Sequence, residues 1–143
     1  MTSVEYKPSP KYLVSLWFRK ILVPVDGSGL SMKAINLAID FAHRYGSKIT
    51  ALFVLPESSA SGKIDTLKEK ITNVSKDSGV EINFKCRRIH FPESSIAKEI
   101  IDEINEGLYD AVIMGAKGLS GGEENPIGSV ATAVAILAPC TVI

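Results

Sequence analysis

Residues 115 to 129 carry the densest chemical signal in the chain. Gly115-Ala116-Lys117-Gly118 is followed, after nine further residues, by Gly128-Ser129, and the stretch comes directly after an apolar run, Ala111-Val112-Ile113-Met114. Glycines let a backbone approach phosphate oxygens closely, and the free N–H groups of a helix opening after Gly128 point at an anion that the helix dipole favours. Ser129 adds a hydroxyl donor, and Lys117 a flexible point charge that can reach a phosphate. A second glycine-rich turn, Asp26-Gly27-Ser28-Gly29, follows the run Ile21-Leu22-Val23-Pro24-Val25 and offers a short carboxylate. The chemistry is that of a small phosphorylated ligand. A plainer reading of the same residues stays open, with Asp26 to Gly29 as a turn and helix cap and the later glycines as loop punctuation.

Two loops at separate places in the chain can serve one site only if the elements before them bring them together. Ile21 to Val25 is a short apolar run of the kind expected for a strand buried on both faces, with Pro24 tolerable only near its end. Ala34, Leu37, Ala38, Phe41, Ala42 and Tyr45 then recur at helical spacing until Gly46 stops them. Ile49 to Leu55 predicts a second strand, and Ser58 to Gly62 a loop able to cover a ligand. Ile64, Leu67, Ile71 and Val74 stripe a second helix closed by Gly79, and Val80 to Ile89 alternates like a strand near the sheet edge, exposed on one face. Lys85 and Arg87 on that face discourage edge pairing. Ile96, Ile100, Ile101 and Ile104 mark a third helix, capped at Ser94-Ser95 and stopped at Gly107. After Ala111 to Met114 and the glycine loop, Val130, Ala133, Val134 and Leu137 predict a last short helix, and Cys140 to Ile143 a terminal strand. Strands alternating with helices imply right-handed crossovers and a parallel sheet covered on both faces, a Rossmann-like α/β fold that binds ligands beyond its strands' carboxyl ends.

The composition sets the outer bounds. A chain of 143 residues suits one domain, read as 20–143, preceded by an extension, 1–19, that holds Pro8, Pro10 and the lone tryptophan, Trp17. That extension is read first as a cover for an apolar edge, with a flexible arm or a segment packing across a subunit interface as the alternatives. Sixteen basic and sixteen acidic residues cancel, which gives no footprint for a nucleic acid or a membrane surface. The apolar run Tyr12 to Phe18 is far short of a membrane span and is followed by Arg19-Lys20 instead of a cleavage site, so a cytoplasmic location is expected. Cys86 and Cys140 lack metal or redox spacing and are read as buried reduced thiols. His43 and His90 are read as a surface and a loop residue, and no hydrolytic constellation stands out.

The paired loops, Pro24-Val25-Asp26-Gly27-Ser28 and Gly115-x2-Gly118-x9-Gly128-Ser129, resemble the universal stress protein family, specifically its ATP-binding branch, over roughly residues 20 to 143. The resemblance implies an open five-stranded sheet in the order 3-2-1-4-5. It implies that Asp26 meets the ribose and adenine side of the nucleotide, that Pro24 and Val54 line the slot for the base, and that Gly115, Gly118, Gly128 and Ser129 hold the phosphates. It implies ATP, with AMP and ADP as alternatives and Mg²⁺ as companion, in a homodimer that pairs through its terminal strand and is read by an unknown protein partner. Glu123 and Glu124 depart from the family pattern, because two carboxylates repel a triphosphate unless they face solvent or Mg²⁺ intervenes. Two other functions fit the same residues. One is a slow ATPase or phosphoryl-transfer enzyme with Asp26 on the metal and Lys117 balancing charge, and the other is a nucleotide-free dimeric interaction module.

Overall fold

The computed structural model describes residues 18–59, 61–90, 92–115 and 129–143. Along the chain run β1 (Lys20–Val25), α1 (Gly29–Tyr45), β2 (Lys48–Pro56), α2 (Ser61–Ser78), β3 (Ile82–Ile89), α3 (Ile96–Gly107), β4 (Ala111–Val112), α4 (Ser129–Leu137) and β5 (Thr141–Val142). The strands form one five-stranded sheet in the order β3-β2-β1-β4-β5, with every neighbouring pair parallel. This is the α/β architecture and strand order, 3-2-1-4-5, that the resemblance implies.

Period-two alternation along the central strands sorts the core into two layers. Ile21, Val23 and Val25 of β1 pack with Ala34, Ile35 and Ala38 of α1 and with Leu67 and Ile71 of α2. Leu22 of β1 and Leu52 and Val54 of β2 point the other way, onto Ile100 and Ile104 of α3 and Val130 and Val134 of α4. A strand covered on both faces can be apolar at every position, which is why β1 and β2 read as continuous runs.

The helix that follows β1 turns differently from its sequence reading. Leu37, expected in the core, is 38% exposed, while Ile35 and Ile39 are buried. Phe41, packed at the margin of the core, and Tyr45 also meet Phe18, with ring centroids 4.8 and 5.7 Å from the Phe18 ring. Of the apolar segment Tyr12 to Phe18, only Phe18 is among the described residues. In α4 Val130 and Val134 are buried, and Leu137, expected in the same stripe, is exposed.

Gly46 and Gly79 end α1 and α2 in the left-handed region, at φ 71° and 72°. Gly107 does not end α3 in this way. The left-handed residue is Leu108, at φ 55° and ψ 52°, and its N–H donates to Ile104 O. Gly107 has a packing role, because the Tyr109 ring occupies the space that a Cβ there would need.

β3 is an edge strand, as expected, yet its polar row does not simply face solvent. The α3 helix lies over that row and supplies acids to it. Glu103, whose side chain is 1% exposed, accepts from Lys85 Nζ at 3.0 Å, Arg87 Nη1 at 3.0 Å and Tyr109 Oη at 2.9 Å. Arg87, 18% exposed, also donates through Nε to Glu99 at 2.9 Å and through Nη1 to Glu106 at 3.1 Å. Burial opposes ionisation of Glu103, but the hydrogen bonds from Lys85, Tyr109 and Arg87 outweigh it and hold the carboxyl below its ordinary range. Glu99 is held low in the same way, with Ser94 and Arg87 outweighing burial. The Tyr109 phenol is pushed up to about 12, by burial first and then by the Glu103 charge.

Candidate nucleotide-binding site

The crevice opens where strand order reverses, between β1 and β4. Lys20 and Leu22 turn their carbonyls toward the β4 side, accepting from Asp110 and Ile113 N–H. Pro24 lies two residues further along the same side and has no N–H to offer, so the ladder between β1 and β4 closes at Leu22↔Val112. Pro24 stays paired with Leu52 on its other flank and is buried. One residue beyond the last registered pair of β1 and β2, Val25↔Phe53, stand Asp26 and Val54. The structure therefore brings Pro24, Asp26 and Val54 to one end of the sheet.

The turn after β1 is built by its own polar side chains. Asp26 Oδ1 accepts from Ser28 N–H at 2.8 Å, and Gly27 takes φ 87°, a value costly for a residue with a Cβ. Ser28 caps α1, its Oγ accepting from Ser31 N–H at 3.2 Å. Ser31, almost fully buried, donates from its hydroxyl to Ser28 O and accepts from Asp26 N–H. This hydroxyl was missed in the sequence; its signal was its place three residues after the cap. Among the described residues none engages Asp26 Oδ2.

Gly115, just beyond β4, lies against Leu30 in the first turn of α1. Ser129 opens α4. Lys117, Gly118 and Gly128, with Glu123 and Glu124, lie outside the described residues. On the α2 side of Asp26, a cleft of about 620 Å³ is lined by Asp26, Gly27, Gly62, Lys63, Thr66, Leu67 and Lys70.

The remaining candidates sit away from this end or carry no unusual chemistry. His43 Nε2 lies 3.2 Å from Ser78 O, bridging the ends of α1 and α2, and His90 Nδ1 lies 3.0 Å from Glu57 Oε2 on the surface. Cys86 and Cys140 are free but half-buried, less enclosed than their apolar neighbours suggested. Burial pushes both thiols up, against the Arg88 and Lys68 charges at Cys86 and together with Asp110 at Cys140. Neither is set up as a nucleophile. Among the described residues, no group of three His, Cys, Asp or Glu side chains could hold a metal ion, and no helix is long and apolar enough to cross a membrane.

The sequence profile described as the Universal stress protein family matches residues 18–143. The chain belongs to the universal stress protein family. A universal stress protein of Methanocaldococcus jannaschii is 30% identical over 137 residues, covering 88% of this chain and 81% of its own. The solved structure of the universal stress protein UspA from Lactobacillus plantarum superposes with a TM-score of 0.74 at 21% identity, covering 88% of this chain and 96% of its own. The Archaeoglobus fulgidus universal stress protein in complex with dAMP superposes at 0.67 with 21% identity, covering 88% and 96%. Other solved members are described in complex with cAMP and, from Arabidopsis thaliana, with AMP bound.

Proposed function

We propose that this universal stress protein binds an adenine nucleotide in the crevice between β1 and β4, with ATP as the principal ligand and Mg²⁺ as its companion. The observation that carries the reading is the state of Asp26. Its Oδ1 orders its own turn, while Oδ2 is left unengaged by the described residues at the point where the strand order reverses. A carboxylate so held accepts from ribose hydroxyls without reorganising, and open α/β sheets take their ligands at such a switch point. Pro24 and Val54 form the apolar wall for the base. Gly115, Lys117, Gly118, Gly128 and Ser129 hold the phosphates, and Mg²⁺ is carried mainly by phosphate oxygens, with no dedicated cage of carboxylates. The dAMP, cAMP and AMP complexes of structural neighbours support an adenine ligand.

The activity proposed is nucleotide-dependent regulation in a dimer, not efficient turnover. β5 is an edge strand, and Ile136, Leu137 and Ile143 are exposed beside it, which supports pairing of two copies there. The deciding experiment denatures freshly purified protein and identifies released small molecules by mass and absorbance, then titrates the nucleotide-free protein with ATP, ADP and AMP, with and without Mg²⁺. Stoichiometric adenine nucleotide, or stabilisation near 2.7 kcal/mol with ligand at about a hundredfold above its Kd, is expected. Neither signal would leave a nucleotide-free interaction module as the reading.

A further inference from the structure

The alternation of β3 fails at one position. Ile82, Phe84 and Cys86 pack on the face of the sheet covered by α1 and α2, and Arg87 and Ile89 face α3. Arg88 is next in the apolar row, yet it is a half-buried cation at the carboxyl end of the strand. Among the described residues no carboxylate pairs with it. Its Nη1 instead lies 2.8 Å from Ser59 O, 3.2 Å from Glu57 O and 3.4 Å from Pro56 O. Nη1 carries two hydrogens, so the bond to Ser59 and one of the longer two are made together.

These carbonyls belong to the segment that leads out of β2, just beyond Val54, toward α2. Three other contacts hold it: Glu57 N–H donates to Ile89 O at 3.1 Å, Ser59 N–H donates to Pro56 O at 3.0 Å, and Glu57 pairs with His90. The Glu57–His90 pair is largely exposed on both sides and contributes little. Charge-assisted bonds from a half-buried guanidinium are the stronger restraint. We infer that Arg88 is a positioning residue of the nucleotide site: it fixes the exit of β2 from the neighbouring edge strand, and so sets where a base can rest against Val54. This rests on the nucleotide reading above, but the restraint on residues 56 to 59 does not.

The test uses the full chain as Arg88→Met and Arg88→Lys, with amide hydrogen exchange of residues 57–59 measured without nucleotide and AMP affinity measured by titration. Arg88→Met is expected to speed exchange at Glu57 and Ser59 and to raise the Kd for AMP about tenfold, the scale of one lost charged hydrogen bond. Arg88→Lys, which keeps the charge but loses the planar fork, is expected to fall between. Unchanged exchange in the Met variant overturns the restraint. Faster exchange with unchanged AMP affinity reduces Arg88 to a structural role and overturns the positioning inference. Absence of AMP binding by the unaltered protein overturns the positioning inference together with the nucleotide reading, while exchange still decides the restraint. If the Met variant does not fold, the Lys variant is read by the same two measurements.

Discussion

Gly115 and Leu30 are packed so closely that a Cβ on Gly115 would stand 3.0 Å from Leu30 Cβ and 3.5 Å from the Leu30 carbonyl carbon. The first glycine of the loop motif thus has a structural reason of its own, independent of any phosphate. It lets the chain leaving β4 close on the first turn of α1, beside the Asp26 turn. The tight contact is with Leu30 Cβ, which no rotamer change moves, so relief requires a shift of the helix itself. Gly115→Ala is expected to lower unfolding stability by about 1–3 kcal/mol, the usual range for overpacking, measured by urea denaturation. An unchanged midpoint would mean that β4 and α1 separate more easily than their packing indicates.

Glu103→Gln keeps the shape of the buried acid and removes its charge from beneath Lys85, Arg87 and Tyr109. A loss of about 1–3 kcal/mol is expected, because Arg87 keeps Glu99 and Glu106 as partners and is not left uncompensated. A second readout is the Tyr109 phenol, held at about 12 by burial and then by Glu103. Spectroscopic titration of the variant should find it below that value, yet above the ordinary tyrosine range.

Acid sensitivity follows from the same cluster. Glu99 and Glu103 are held below the ordinary carboxyl value of 4.5, so the folded protein binds their protons less readily than the unfolded chain does. Their stabilisation is complete above about pH 4.5 and is lost as pH falls through the depressed values. Urea midpoints between pH 7 and pH 3 should fall steeply for the unaltered protein and more gently for Glu99→Gln/Glu103→Gln. Parallel curves would assign acid unfolding to other carboxylates.

Leu108 carries a left-handed backbone and is 80% exposed, so it bears conformational strain with little packing in return. Glycine adopts this conformation without cost, although it also loosens the unfolded chain. Leu108→Gly is expected to raise stability by about 0.5–1 kcal/mol, seen as a higher denaturation midpoint. Destabilisation would mean that the added freedom of the unfolded chain exceeds the strain relieved at this position.

Asp26→Asn separates turn from ligand, because the amide oxygen can still accept from Ser28 N–H while the charge is gone. Unfolding stability should change by less than about 0.5 kcal/mol, and adenine nucleotide affinity should fall about tenfold or more in titration calorimetry. Retained affinity would move the ribose contact away from Asp26. Ser28→Ala makes the opposite change, costing about 1 kcal/mol of stability through the lost cap.

The alternation of β-like and helical segments, the apolar continuity of β1 and β2, and the caps at Ser28, Ser95, Gly46 and Gly79 were all legible from local residue order, since each depends on neighbours a few positions away. The glycine-rich turns were legible for the same reason, and strand order followed from their resemblance to one family. Tertiary structure decided what local periodicity cannot encode: which face of α1 meets the sheet, so that Ile35 and Ile39 are buried and Leu37 is not. It also decided that the polar row of β3 is neutralised by α3, that Gly107 makes room for Tyr109, and that Arg88 reaches back to the exit of β2. These contacts join residues up to 32 positions apart, from Pro56 to Arg88. Their partners are chosen by the packing of whole elements, and a charge or a glycine looks the same in sequence whether it meets water or another side chain.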